Sequence, residues 1–304
     1  SYKRKTKKSS IFKILFYIGG GGDFNKYLNF LFHFSEKIKK NKKYKIFVIC
    51  GPLARGQKKL KDISKKNKNI VIIYNNLNIS KILSETNLYV GVSSSIIYEL
   101  NYLNVLSVLF ASSANQKNDI MHLKDLGFNF LISDKDFFLR KEKVCDFLIL
   151  LIKNYKKLKI LSKKKLKIDN NGSKRISKII FKLSNLTLKQ NNKIENFLKT
   201  QRFTDESDNK KDGFYKVKDN QINNYLMGKN LSSNLKNSIN TKKIKNLDHY
   251  IWWFTQKSKL FYYIRNKKIR IYLNHRKIFV NKNYYYYGGW FVAKNKIKIG
   301  DAIK

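Results

Sequence analysis

The sequence is poor in proline, cysteine and acidic residues. It has one proline, two cysteines and 20 acidic residues against 65 Lys and Arg among 304 positions. Two cysteines are too few for a disulfide framework or a cysteine-based zinc site, so we expect no metal. Because 42% of the residues are hydrophobic, the chain can build a packed core without covalent cross-links.

Long apolar runs and a cleavable leader are also lacking. No run reaches the roughly 18 residues that a membrane span requires. The apolar residues 11–18 end in four glycines, which are not typical of a signal-peptide cleavage site. We therefore expect a cytoplasmic protein without a transmembrane segment. The start at Ser1 and not at Met suggests a piece of a longer protein.

Basic residues greatly outnumber acidic ones in this sequence. A net charge of +45 would by itself suggest a polyanion as partner. The lysines are, however, spread along the whole chain, and the abundance of Lys, Asn, Ile, Phe and Tyr is typical of an AT-rich coding sequence. A nucleic-acid-binding protein should concentrate its cations on one element. We therefore expect no nucleic acid as the main partner.

Short apolar runs alternate with amphipathic stretches in the first part of the chain. The runs predict strands at residues 11–18, 44–50, 69–74, 88–92, 105–110 and 130–133. The amphipathic stretches predict helices at residues 25–39, 53–66, 79–85, 95–103, 118–126 and 137–166. This alternation predicts an α/β fold with a Rossmann-like parallel sheet that is covered on both faces.

The composition changes after the last of these helices. Asn, Lys and Asp dominate residues 188–219, which predicts a linker between a first domain at 1–187 and a second at 220–304. In the second domain, residues 225–254 look helical. Aromatic-rich runs then predict antiparallel strands at 260–265, 269–273, 277–280 and 284–292. The second domain is therefore predicted to be α+β.

A glycine-rich loop follows the first predicted strand. Gly20, Gly21 and Gly22 belong to a run of four glycines that is followed by Asp23 and precedes a helix. Glycines let the backbone approach a ligand, and a helix start offers unpaired N–H groups to a diphosphate. The spacing is neither the dinucleotide fingerprint nor a P-loop. A plain tight turn is the alternative.

A serine-rich loop follows the fourth predicted strand. Ser93, Ser94 and Ser95 precede a helix that contains Glu99. The serines can cap the helix or bind a phosphate. Glu99 can accept hydrogen bonds from both hydroxyls of a ribose. The alternative is an ordinary serine cap with a solvated glutamate.

Two amides follow the fifth predicted strand. Asn115 and Gln116 lie where ligands bind in open α/β sheets, beyond the carboxyl end of a parallel strand. The alternative is a loop with surface amides.

Together these loops carry a family resemblance over residues 10–185. The run from Ile79 to Glu99, continued through Asn115-Gln116, resembles the UDP-2,4-diacetamido-2,4,6-trideoxy-β-L-altropyranose hydrolases of pseudaminic acid biosynthesis. More distantly, it is similar to the lipid II N-acetylglucosaminyltransferase. Residues 19–23 match a Gly-Gly-Ser-Asp turn of the hydrolases. Residues 168–176 match their closing Asp-Gly-x-Gly-x-x-Arg-Ile helix, in which the second glycine is either replaced by Ser173 or shifted.

The resemblance implies the C-terminal half of a GT-B enzyme that binds a UDP-sugar. Glu99 would hold the ribose. The loops containing Gly20–Gly22 and Ser93–Ser95 would face the diphosphate, and Asn115 with Gln116 would approach the phosphate or the sugar. No cofactor is implied for this half.

The catalytic residue is not identified by the resemblance. In the hydrolases the proposed base is a histidine of the N-terminal domain, which the matched residues do not include. His33 and His122 match no motif and are expected to be structural or surface residues.

The second domain resembles the opening of a GNAT acyltransferase. The resemblance rests on Gly228-Lys-Asn230, His249 and Trp252-Trp253-Phe254. It would imply acetyl-CoA as a cofactor, although no pyrophosphate loop of that family precedes Lys304. The run from Tyr284 to Trp290 could form a sugar-binding wall or, alternatively, an aromatic core strand.

These patterns leave three functions open. The first is a UDP-sugar hydrolase, or its UDP-binding half, with an acyltransferase-like domain. The alternative is a UDP-sugar-dependent glycosyltransferase. The third is a non-catalytic protein that binds a nucleotide or a nucleic acid.

Overall fold

The structure is a computed structural model, and it divides into two compact units. The described residues are 11–74, 78–114, 116–117, 120, 129–163, 168–169, 171–184, 211–236, 238, 241–266, 268–280 and 283–294. Among them, the first unit takes the residues up to Ile168 together with Asp219–Leu226 and Ile244–Gln256. The second unit takes Asp169–Lys218, Met227–Lys243 and the residues from Lys257 onward.

The first unit contains a parallel sheet of six strands. These are β1 (Phe12–Tyr17), β2 (Tyr44–Cys50), β3 (Ile70–Tyr74), β4 (Leu88–Val92), β5 (Leu106–Phe110) and β6 (Asn129–Leu131). Their order is β3-β2-β1-β4-β5-β6, and every neighbouring pair is parallel. The predicted α/β class with a Rossmann-like sheet is thereby confirmed.

Helices connect and cover the strands. They are α1 (Leu28–Ile38), α2 (Gln57–Lys66), α3 (Ile79–Glu85), α4 (Ile96–Tyr102), α5 (Asp136–Leu139), α6 (Lys141–Lys153) and α7 (Tyr155–Lys163). The single long helix predicted over 137–166 is wrong. It is divided at Arg140 and Asn154, whose backbones leave the helical region. Most of the helix predicted at 118–126 lies outside the described residues.

The sheet buries a different kind of side chain on each face. Leu15 of β1 packs with Leu100 and other residues of α3 and α4 in a cluster that is aliphatic apart from Tyr89 and a few aromatic residues at its border. Phe16, the next residue, points to the opposite face and meets Phe30 and Phe137 at ring-centroid distances of 5.8 and 6.2 Å. All residues of β4 and β5 are buried, as expected for central strands of a parallel sheet.

Side chains from distant segments satisfy the backbone of β6. Leu131 N donates to the Tyr250 hydroxyl at 3.1 Å, and Leu131 O accepts from Asn246 Nδ2 at 2.8 Å. Asn223 Nδ2 donates to Asn129 O at 3.0 Å. Because these bonds occupy an edge strand, residues 219–226 and helix 246–255 pack within the parallel-sheet unit. The domain boundaries at 187 and 219 stay a prediction.

The second unit contains an antiparallel sheet with the order β10-β9-β8-β7. Its strands are β7 (Gly213–Lys216), β8 (Lys259–Arg265), β9 (Lys268–Val280) and β10 (Asn283–Val292). Strand β7 forms within the range whose composition predicted a linker, because it pairs with β8. The prediction of separate strands at 269–273 and 277–280 is wrong, because pairing with β10 continues through the polar residues between them.

The described residues of the C-terminal part form four further α-helices: α8 (Gly172–Ser184), α9 (Ile222–Lys229), α10 (Ser232–Lys236) and α11 (Asn246–Thr255). None of the helices in the described ranges combines the length and apolar character that a bilayer crossing demands.

Candidate functional site

The strand order places a topological switch point between β1 and β4. From β1 the chain proceeds to β2 and β3 on one side, and then crosses to β4 on the other side. Tyr17 near the end of β1 pairs with Gly91 near the end of β4. The loops that follow these two strands therefore begin side by side at the carboxyl edge. In open α/β sheets this is where ligands bind.

The glycine loop begins with a turn that requires glycine. Gly19 has a φ of +87°, and a Cβ built there would lie 4.0 Å from Val92 of β4. A Cβ at Gly22 would clash with the backbone oxygen of Ile18 at 2.7 Å. By contrast, a Cβ at Gly20 would meet no heavy atom within 4 Å. The loop is thus tightly folded at its ends and open at Gly20.

The loop after β2 holds the glycine loop in place. Arg55 N donates to Gly22 O at 3.0 Å, and Phe24 N donates to Arg55 O at 3.0 Å. Gly51 lies against Gly20 so closely that a Cβ on Gly51 would be 2.3 Å from the Gly20 oxygen. The position of the Gly20 backbone is therefore fixed by contacts that are present before any ligand binds.

The serine loop continues directly from β4. Ser93 is fully buried, and its backbone N donates to Phe110 O at 2.9 Å. The buried Ser93 Oγ has no hydrogen-bond partner among the described residues. Ser94 Oγ accepts from Ile96 N at 3.4 Å, while Ser95 begins α4 without a side-chain cap bond. The ordinary serine cap thus does not account for the hydroxyls of Ser93 and Ser95.

Close packing fixes the two strands at the switch point. A Cβ on Gly91 would lie 2.3 Å from the backbone oxygen of Tyr17 and 2.5 Å from the Tyr89 hydroxyl. The Tyr89 hydroxyl donates to Val92 O at 3.0 Å. Burial raises the pKa of Tyr89 well above its usual value, so the phenol stays a neutral donor. There is no space for a side chain at Gly91.

Glu99 lies on the exposed side of α4, one turn after Ser95. Its Oε2 accepts from Ser80 Oγ on α3 at 2.7 Å. Ser80 and Glu99 lie in the first turns of α3 and α4, which begin where β3 and β4 end, so this bond lies toward the carboxyl edge. The carboxylate is therefore accessible and already oriented by a hydroxyl group.

The amides predicted after β5 are only partly described. Asn115 lies outside the described residues. Gln116 Oε1 accepts from Ser112 N at 2.9 Å and from Ser112 Oγ at 3.1 Å. The amide oxygen of Gln116 therefore stabilises the loop after β5. Gln116 lies where it was predicted, but its oxygen is already hydrogen-bonded within the protein.

Sequence reasoning did not single out Arg55, which is the one cation of loops 18–23, 51–56 and 93–95. Its guanidinium is 77% exposed and lies 3.9 Å from Asp23 Oδ2. Although burial acts to raise it, the pKa of Asp23 is lowered by hydrogen bonds from Asn25 and by the charges of Arg55 and Lys26. Arg55 could have been found from the sequence, because it follows β2, a strand that ends at the same carboxyl edge of the sheet.

The cysteines and potential metal ligands do not form a reactive centre in the described part of the chain. Cys50 and Cys145 are buried and free. Burial raises the pKa of Cys50 and raises that of Cys145 to about 12, so both thiols stay protonated at neutral pH. No cluster of metal-ligating side chains occurs among the residues described.

The residues of the acyltransferase resemblance occupy packed positions. His249 is buried, with Nε2 at 3.2 Å from Ile222 O. A Cβ on Gly228 would lie 2.9 Å from the Phe291 ring. These contacts give His249 and Gly228 a structural role in the fold. The acyltransferase assignment, and acetyl-CoA as its cofactor, stay predictions.

Comparison with known proteins gives only distant likeness. No family model and no curated protein matches the chain. Among solved structures, MurG of Acinetobacter baumannii has 18% identity and a TM-score of 0.45, covering 59% of this chain and 51% of MurG. The UDP-GlcNAc 2-epimerase of Neisseria meningitidis, bound to UDP-GlcNAc, has 15% identity and a TM-score of 0.41, covering 57% and 44%. TarM has 15% identity and a TM-score of 0.41, covering 61% and 37%.

The chain thus spans about half or less of the length of these proteins. Since every TM-score is below 0.5, the fold assignment rests on the strand order described above.

Proposed function

We propose that the parallel-sheet unit binds the UDP part of a UDP-sugar between β1 and β4, in an enzyme that transfers the sugar from UDP to an acceptor. The observation that carries the proposal is the meeting of two loops rich in glycine and serine at the switch point of the sheet. Such a site suits a phosphorylated ligand, because small residues leave the backbone N–H groups accessible.

The diphosphate is assigned to the space beside Gly20. A Cβ at Gly20 would meet no heavy atom within 4 Å, whereas Gly22 is tightly packed and Gly51 lies directly against the Gly20 backbone. Ser95 supports the assignment, since its exposed side chain begins α4 without a cap bond and its hydroxyl can donate to a phosphate oxygen. Arg55 adds a positive charge at the rim.

The choice of a uridine nucleotide rests on the sequence resemblance. Glu99, placed as in the related sequences, would accept the ribose hydroxyls and replace its bond from Ser80. Asn115 and Gln116 would approach the phosphate or the sugar. These roles agree with the exposed carboxylate of Glu99, and they are open to direct test.

The reaction class follows from what this site would stabilise. When the bond between the anomeric carbon and the β-phosphate oxygen breaks, its electron pair stays on UDP. Backbone N–H groups beside the diphosphate would stabilise that developing charge. The acceptor is water in a hydrolase, as in pseudaminic acid biosynthesis, or a sugar hydroxyl in a glycosyltransferase. Loops 18–23, 51–56 and 93–95 contain no histidine to serve as base.

Replacing Glu99 with alanine is expected to weaken UDP binding about 10- to 100-fold, because hydrogen bonds to a charged acceptor are lost. Isothermal titration calorimetry with UDP and UDP-GlcNAc measures the change. Glu142→Ala is the matched control, since Glu142 is exposed on α6, and it should bind like the unmodified protein. Equal affinities for all three proteins would remove Glu99 from the site.

The acceptor is decided by a second assay on the same protein. UDP release from a UDP-sugar without any acceptor sugar would indicate hydrolysis. Release that requires an added glycan acceptor would indicate glycosyl transfer. Binding of UDP without release in either case would leave a nucleotide-binding role.

A further inference from the structure

One face of the antiparallel sheet concentrates aromatic side chains. Cross-strand partners point to the same face, and the register aligns Trp290 with Leu273 and Phe261 across three strands. The same parity places Phe214, Tyr263, Phe279 and Tyr284 on this side. We call this side the aromatic face.

The aromatic face is exposed at both of its ends. Four of its rings, those of Phe214, Phe279, Tyr284 and Trp290, are 48 to 65% exposed. Exposed aromatic groups of this size on one surface typically mark an interaction site. The core-strand alternative accounts for Phe291, which is buried on the opposite face, and for Val292, which packs with Ile271 and Leu231 on this side. It does not account for these four exposed rings.

Cations accompany the rings, and carboxylates do not. Lys216, Lys259 and Lys277 lie on the aromatic face by the same register. Lys277 Nζ stands 3.7 Å from the centroid of the Tyr284 ring. None of the four strands contains an Asp or a Glu. The partner that complements this face is therefore anionic.

The spacing of the rings indicates an extended partner. Tyr284 and Trp290 are six residues apart on one strand, which is about 20 Å at the rise of a β-strand. Aromatic platforms joined by cations are how proteins bind single-stranded nucleic acid, with bases stacked on rings and phosphates near the cations. The lysines of this side supply a positive charge that a phosphate backbone would meet and that a neutral glycan would not use.

We propose that the aromatic face binds single-stranded nucleic acid. The even distribution of lysine along the sequence had argued against such a partner, but the register of the sheet brings rings and cations together from distant positions. All of the residues of this site belong to the antiparallel sheet, and none belongs to the loops assigned to UDP.

The test measures the anisotropy of a labelled poly-thymidine oligonucleotide with the full chain at physiological salt. Trp290→Ala and Tyr284→Ala should each weaken binding by at least about fivefold, because each removes a stacking surface. Trp290→Phe should retain most of the affinity. Phe32→Ala is the matched control, since Phe32 is an exposed aromatic residue of α1, and it should leave the affinity unchanged.

Charge is tested by the salt dependence. Lys277→Gln should reduce the slope of log affinity against log salt by about 0.7, the value for one phosphate of a single strand. Lys61→Gln, an exposed position on α2, should leave it unchanged. An excess of UDP should not displace the oligonucleotide.

Several outcomes would overturn the proposal. These are no binding, equal binding by all aromatic variants, and displacement by UDP. A further one is that Trp290→Ala loses binding to vesicles containing phosphatidylglycerol while its oligonucleotide affinity is unchanged, which would assign the face to a lipid surface. Circular dichroism of each variant separates loss of binding from loss of fold.

Discussion

Replacing Gly91 with alanine is expected to lower the free energy of unfolding by about 2 to 3 kcal/mol. The added methyl group would lie 2.3 Å from the backbone oxygen of Tyr17 and 2.5 Å from the Tyr89 hydroxyl. Because Tyr17 belongs to the neighbouring strand β1, relief of the clash must separate β1 from β4 or displace a buried ring. Urea denaturation followed by circular dichroism measures the loss.

The matched control is Gly289→Ala. A Cβ at Gly289 meets no heavy atom within 4 Å, so its free energy of unfolding should change by less than about 0.5 kcal/mol. If Gly91→Ala and Gly289→Ala had the same urea midpoint, β1 and β4 would not approach each other as described. The switch point would then lose its structural basis.

Replacing Gly20 with valine is expected to reduce UDP binding without reducing the stability of the fold. UDP affinity should fall about 100-fold or more, equivalent to about 2.8 kcal/mol, while stability stays close to that of the unmodified protein. The reason is steric, because a Cβ at Gly20 has no neighbour within 4 Å in the protein itself. The space that the side chain would fill is the space assigned to the diphosphate.

Calorimetric titration with UDP and a urea melt on the same samples check both parts. Gly289→Val serves as the control, since it adds the same side chain at another open glycine and should bind UDP normally. UDP affinity that is unchanged in Gly20→Val would mean that the diphosphate lies elsewhere. A large loss of stability would mean that the loop is packed more tightly than described.

Local patterns in the sequence were sufficient for most of the parallel sheet. The bounds predicted for β2, α3 and β4 are those of the structure. Each is a continuous apolar or amphipathic stretch that ends at polar or small residues, so the signal is contained within the element. The order of these elements then limits the sheet to a few topologies.

Long-range contacts explain what the sequence could not predict. Strand β9 continues through Asn274, His275 and Arg276, because each has a partner on β10 that a local pattern does not reveal. The side-chain bonds of Asn223 and Tyr250 to β6 span about a hundred residues. Asn223 lies on α9, and neither residue carries a local sign that it pairs with a strand edge.

For the candidate site too, local sequence patterns predicted some features and long-range contacts determined the others. The glycine and serine loops were predicted from their position after strands, and the parallel pairing of β1 with β4 brings them together. The internal bonds of Glu99 to Ser80 and of Gln116 to Ser112 were not predictable, because they depend on side-chain geometry. The roles of Glu99, Asn115 and Gln116 toward a ligand stay predictions.

Hydrogen–deuterium exchange of the full chain, with and without saturating UDP, tests the central claim most directly. Bound UDP should slow amide exchange in loops 18–23 and 93–95 together, because both are assigned to the diphosphate at the switch point. The strands of the antiparallel sheet should exchange as before. Protection of neither loop while UDP is bound, or protection confined to the antiparallel sheet, would contradict the site.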